Sequence, residues 1–137
     1  MKQLTILFSI LFLVACSDQR EVNRAAARKL YEHFNAHDWE AMAGLYAANA
    51  EFLDPSLGIE YVAQTQQQIV EKYSGMELMF PDIHDDVKEI YAVDDKVIVQ
   101  FVATGNSGDS IQLKLPICGI LTFKEGKIIR DATYYDN

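Results

Sequence analysis

The chain has 137 residues, with 20 acidic side chains against 12 basic ones and a formal charge of −8. That is one domain's worth of sequence, and its acidity argues against nucleic acid and anionic lipid headgroups as partners. Half of the residues are apolar, enough for a sizeable core.

The first element is an export signal. Lys2 opens it, Leu4 to Val14 is an almost unbroken apolar run, and Leu13-Val14-Ala15-Cys16 closes it. Eleven residues are too few to span a bilayer, which takes about 20. The closing run resembles the lipobox of bacterial lipoproteins. The resemblance implies cleavage after residue 15, lipidation of Cys16 and a protein held to a membrane by acyl chains alone. Ser17, rather than an aspartate, then points to the outer membrane and its periplasmic side in a two-membrane host. The expected layout is a signal peptide at 1–15, a lipidated tether at 16–21 and one domain at 22–137. With Cys16 lipidated, Cys118 stands alone and no intrachain disulfide can form.

Val22, Ala26, Leu30 and Phe34 recur every four residues and predict a first amphipathic helix, which Asn35 to His37 break. Asp38 sits where an N-cap belongs, ahead of a second helix with Trp39, Met42, Ala43 and Tyr46 on its apolar face. Ala50 to Leu53 is a short strand ended by Asp54-Pro55. A third helix is expected from about Tyr61 to Tyr73, burying Val62, Ile69, Val70 and Tyr73, with Gln66 to Gln68 on its solvated face.

His84-Asp85-Asp86 could bind a cation, but a solvated loop is the simpler account, and after it the pattern turns to strands: Val87–Val93, Val97–Thr104, Ser110–Phe123 and Lys127–Tyr135. Asp94-Asp95, Asn106 to Asp109 and Glu125-Gly126 are the turns between them. Helices followed by an antiparallel meander make an α+β domain, with four to six strands curved over three helices and a pocket enclosed between.

The segment Leu45-Tyr46-Ala47-Ala48-Asn49-Ala50-Glu51-Phe52-Leu53-Asp54-Pro55, with Asn35 to Trp39 before it and Gly126-Lys127-Ile128 and Tyr134-Tyr135-Asp136 after it, resembles the SnoaL-like branch of the nuclear-transport-factor-2-like superfamily. The resemblance implies a cone-shaped, often dimeric domain with a deep pocket, and so a homodimer that binds a small, largely apolar molecule. Ketosteroid isomerases, polyketide cyclases and noncatalytic binding domains all share that fold, so it specifies chemistry poorly.

Two carboxylates are the catalytic candidates. Asp54 matches the isomerases' general base, and desolvation at the mouth of an apolar cavity would disfavour its charged form; alternatively, an Asp before a Pro only shapes a turn. Period-two alternation puts Asp131, Thr133 and Tyr135 on one face of the last strand. The SnoaL-like cyclases use an acid-base aspartate from this sheet, without a register that equates it with Asp131. Asp131 could share a cavity with Asp54, each raising the other's proton affinity, or pair with a basic residue on a neighbouring strand. Tyr135, Thr133, Gly119, Leu121, Phe52 and Trp39 are the expected pocket lining, although aromatic residues at this spacing are more often core.

The isomerase's oxyanion donors have no counterpart, because its helix-one tyrosine falls on Leu30 and its acid on Gly119. Classical ketosteroid isomerisation is therefore disfavoured, and any catalysis would be of an isomerase, cyclase or lyase type. His33 and His37 are spaced to hold a metal but lack the zinc-peptidase glutamate, and neither a metal nor another cofactor is expected. A noncatalytic module that dimerises or docks an envelope protein is the alternative function.

Overall fold

The computed structural model describes residues 18–108 and 111–136, so the signal segment and Cys16 lie outside the described residues. Three helices, α1 (Asp18–Asn35), α2 (Trp39–Ala43) and α3 (Gln66–Met79), pack on a six-stranded sheet. Its strands are β1 (Tyr46–Leu53), β2 (Val62–Thr65), β3 (His84–Val93), β4 (Lys96–Ser107), β5 (Ile111–Lys124) and β6 (Lys127–Tyr134), in the order β2-β1-β6-β5-β4-β3. The sheet curves without closing, which is the α+β cone expected. It is not wholly antiparallel, because β1 runs parallel to β6.

α1 begins at Asp18, so residues 18–21, expected as tether, are helical. Its buried stripe is Asn23, Ala27, Leu30, Tyr31 and Phe34, while Val22 is exposed. The reason is geometric: a strict four-residue spacing drifts about 40° per turn at 100° per residue, so Val22 stands about 120° around from Phe34. His37 closes the helix in the left-handed region (φ 54°). The amide of Asp38 bonds back to the His33 carbonyl at 3.0 Å and that of His37 to Phe34 at 3.0 Å, which satisfies two of the carbonyls of the helix's last turn. Asp38 then caps α2 as expected, its carboxylate accepting from the Ala41 amide at 3.1 Å.

Two boundaries differ from expectation. α2 stops at Ala43, and Tyr46, expected on its apolar face, opens β1 instead. The third helix starts at Gln66 rather than Tyr61, because Thr65 and Gln68 form a reciprocal capping box there. Residues 62–65 form edge strand β2, pairing with 49–52, and Val62 is exposed rather than buried. Glu125 (φ 51°) and Gly126 (φ 75°) make the left-handed two-residue turn that joins β5 to β6.

The core lies between the helices and the concave face, where Tyr46, Phe52, Val97, Val99, Phe101, Leu121 and Ile128 meet Tyr31, Phe34, Trp39 and Met42. Cys118 alternates away from Gly119 and Leu121 and lies half-buried on the convex face, beside Tyr134.

Candidate functional site

The sheet register assembles the site. Asp131 on β6 lies between Phe52 on β1 and Leu121 on β5, and Thr133 lies beside Gly119. All five therefore share the concave face, as their alternation predicts. Asp131 is buried and receives a 2.7 Å hydrogen bond from the Tyr46 hydroxyl and a 3.4 Å one from Thr133. No basic side chain reaches its carboxylate among the described residues, which corrects the expectation of an ion pair along the sheet; Arg130, on the opposite face, takes Glu51 instead. Burial holds the proton affinity of Asp131 above the ordinary carboxyl range, against the Tyr46 hydrogen bond and the more distant charge of Lys72, and the charge of Asp54 adds to the rise.

Asp54 behaves in the opposite way. Its Oδ2 accepts from Lys72 Nζ at 2.5 Å, and its Oδ1 accepts from the Ser56 amide at 2.8 Å and the Tyr135 hydroxyl at 3.0 Å. Burial raises its pKa as expected, but the lysine and the Ser56 bonds outweigh it and bring the group down to about 2. The expectation of a desolvated base is thus corrected: Asp54 is a fixed anion in an ion pair, and it also shapes its turn. Lys72 was not foreseen. One turn of α3 past the capping box, it stands 5.8 Å from the Phe52 ring centre and 5.4 Å from that of Tyr73, so the cation rests on aromatic faces as well as on Asp54.

The expected open pocket is largely filled. Tyr31 packs on Phe101 with ring centres 5.0 Å apart, and a β-carbon added to Gly119 would lie 3.3 Å from the Tyr31 hydroxyl. Tyr31, one step along the helix from Leu30, sends its hydroxyl to Gly119. Burial first, then the charges of Asp131 and Asp85, raise the Tyr31 pKa, so it remains an O–H donor. Gly119, Leu121 and Phe52 form the wall of a packed interior. Trp39 lies apart from them, its indole N–H donating to Glu77 at 2.7 Å and its ring stacked between His37 (5.2 Å) and Tyr73 (5.9 Å). His37 is engaged as well, with Glu77 at 3.1 Å and the Ile83 carbonyl at 2.8 Å.

Sequence reasoning also missed Asp85. In place of the expected solvated loop, β3 begins at His84, and the alternation from there turns Asp85 inward to 6% exposure.

Two layers of evidence define the protein's class. The fold is that of the nuclear-transport-factor-2-like cone, as found in the solved structures of Bal32a from a soil-derived mobile gene cassette (21% identity, 87% of this chain and 92% of that one, TM-score 0.74) and of a ketosteroid isomerase-like protein from Catenulispora acidiphila DSM 44928 in complex with trimethylamine (18% identity, 81% and 85%, TM-score 0.71). A SnoaL-like protein of unknown function from Burkholderia thailandensis E264 is similar as well (17% identity, 85% and 97%, TM-score 0.69). No curated protein matches the sequence. The family model for the SnoaL-like domain matches residues 27–131, and the chain belongs to that family.

Proposed function

We propose that this protein is a lipid-anchored pocket domain of the bacterial cell envelope whose packed cone opens beside Tyr31 to admit a small, largely apolar molecule, and that Asp131 handles that molecule's polar end. One observation carries the proposal: a buried carboxyl on the concave wall, without a cation among the described residues and with Tyr46 donating to it at 2.7 Å. A carboxyl kept in such surroundings is costly, and groups with shifted proton affinity concentrate at sites of use. Protonated, Asp131 can donate to a ligand oxygen; ionised, it can take a proton beside a carbonyl, the acid-base step of isomerases, cyclases and lyases. Asp54, locked to Lys72, acts as part of the rim: Tyr135, Asp54 and Lys72 form a polar latch above Phe52. The Catenulispora protein of this fold is in complex with trimethylamine, which supports small-molecule binding by the fold. The Leu13–Cys16 lipobox supports the anchor, with the outer membrane favoured by Ser17.

The test is native mass spectrometry of the full chain extracted from membranes in detergent. A co-purified small molecule that is lost from Asp131→Asn, together with acyl mass on the amino-terminal peptide that is lost from Cys16→Ser, is the expected result. Retention of the same molecule by Asp131→Asn overturns the site, and an unmodified amino-terminal cysteine overturns the anchor.

A second possibility, a homodimer or docked partner, draws on the convex face. Tyr91, Ile98, Ile120, Ala132 and Leu53 lie in register across five strands there, with exposed Tyr134 in the adjacent row. Sedimentation of the chain as a dimer, abolished by Ile98→Lys with the fold intact, supports it; a monomer at tens of micromolar excludes the dimer.

A further inference from the structure

At the edge of the concave face, a cleft of about 480 Å³ lies between α1 and edge strand β3, and Asp85 lies in its wall. The Asp85 backbone is fixed from both sides by one side chain: the Asn35 amide donates to its carbonyl at 2.9 Å, and its own N–H donates to Asn35 Oδ1 at 2.7 Å. The carboxyl is therefore aimed by the backbone. It is buried to 6% exposure, and among the described residues no donor or cation pairs with its oxygens. Its oxygens open onto the cleft rather than being sealed from water, and a carboxyl this far desolvated without a protein partner favours a ligand that would satisfy it there.

The remaining lining defines the occupant's chemistry. Glu32 and Glu89 add two carboxylates; Lys88 is closed on Asp86, and among the described residues Arg28 is the cation of the cleft without an ion pair. Val87, Ile90 and the Tyr31 ring supply an apolar wall. A break in strand register between Val87 and Glu89 lets the strand bulge and carries Ile90 back to the inner face, opposite Val99. The carboxylates do not converge as a metal shell would, since no group of three His, Cys, Asp or Glu ligands comes together among the described residues.

We propose that the α1–β3 cleft is a second binding site, for a small organic cation with a short apolar body, whose ammonium group sits on Asp85 and whose alkyl part lies on Val87 and Ile90. A compact ammonium satisfies a carboxyl without an internal partner, and the local excess of negative charge favours it over an anion.

The site also carries a pH signature. Burial pushes Asp85 up to about 7, so an ammonium must displace its proton and binds more tightly as pH rises through that value. The charged and titratable groups around it are Arg28, Tyr31 and Glu32 on α1, His84, Asp86, Lys88 and Glu89 on β3, and Tyr73 on α3. On β4 its register partner, Ala103, carries none. His84 is the one imidazole among these groups, so His84→Gln serves as the control.

The experiment is a titration of the full chain in detergent with butylammonium, followed by NMR of the Asn35 and Asp85 amides, with butyrate and 1-pentanol as charge controls. Expected are saturable shifts with butylammonium alone, an affinity at least tenfold weaker in Asp85→Asn, and a severalfold rise in affinity from pH 6 to pH 8 that persists in His84→Gln. Asp131→Asn is expected to leave all of this unchanged, which separates the cleft from the cone. Equal response to 1-pentanol, full affinity in Asp85→Asn or loss of the pH dependence in His84→Gln each overturns the proposal. Because Asp85→Asn removes a strained charge, it is expected to fold; Glu32→Gln with Glu89→Gln, at the surface, should weaken binding severalfold and gives a second check.

Discussion

Asp54 and Asp85 are both aspartates drawn out of water at strand ends, and they have opposite proton affinities. Burial acts on both in the same direction. Asp54 meets Lys72, the Ser56 amide and the Tyr135 hydroxyl and falls to about 2; Asp85 meets no donor among the described residues and rises to about 7. Burial sets the size of the stake, and the partners set its sign. The same contrast separates the two regions of the molecule: the cone's interior is packed and internally satisfied, whereas the α1–β3 cleft is open and leaves a carboxyl without a partner.

The largest effect that can break this contrast comes from the interior. Phe52→Ala, at a fully buried site between Tyr46 and Lys72, is expected to cost about 3–5 kcal/mol in urea unfolding, whereas Val87→Ala in the cleft wall should cost about 1. A loss below about 1 kcal/mol for Phe52→Ala would mean that the interior is not packed as described. Next comes Asp85. Its folded pKa lies above the ordinary 3.8, so its contribution to stability is fully present below about 4 and lost as pH rises towards 7. Asp85→Asn should therefore stabilise the protein at pH 8 by about 2–4 kcal/mol and flatten the decline between pH 4 and 7. Thermal melts over that range decide it, and an unchanged slope removes Asp85 as the cause.

Tyr46→Phe strips Asp131 of its 2.7 Å donor and should cost about 1–3 kcal/mol, with the loss growing as pH rises because the ionised carboxyl suffers most. A loss independent of pH would show that only packing was disturbed. Smallest is Lys72→Met. The folded pKa of Asp54 is depressed, so its stabilisation is present above about 3.8 and lost as pH falls towards 2. Removing the lysine should cost about 1 kcal/mol at neutral pH, discounted for partial exposure, and move the acid limb of the stability profile upward. An unmoved acid midpoint would sever Asp54 from that limb.

Much of the chain could be read directly. The Asp38 cap, the Glu125-Gly126 turn and the alternation that puts Asp131 and Thr133 on the concave face depend on residues a few positions apart, and all three stand as expected. The start of the third helix was legible too, in the Thr65-x-x-Gln68 capping signature, but apolar residues upstream at Tyr61 and Val62 masked it. Asp85 could have been found only by starting β3 three residues earlier, where two charged neighbours and a histidine hide the alternation.

The sequence by itself determined the α+β class, the strand-rich second half and the faces of its strands, because periodicity and capping are local physics. Only tertiary structure decided which carboxylate would be ionised. Lys72 reaches Asp54 across 18 residues, Asn35 fixes Asp85 across 50 and Tyr46 meets Asp131 across 85. Proton affinity answers to whatever lies within a few ångströms, and at such separations along the chain only the folded sheet and helices bring those groups together.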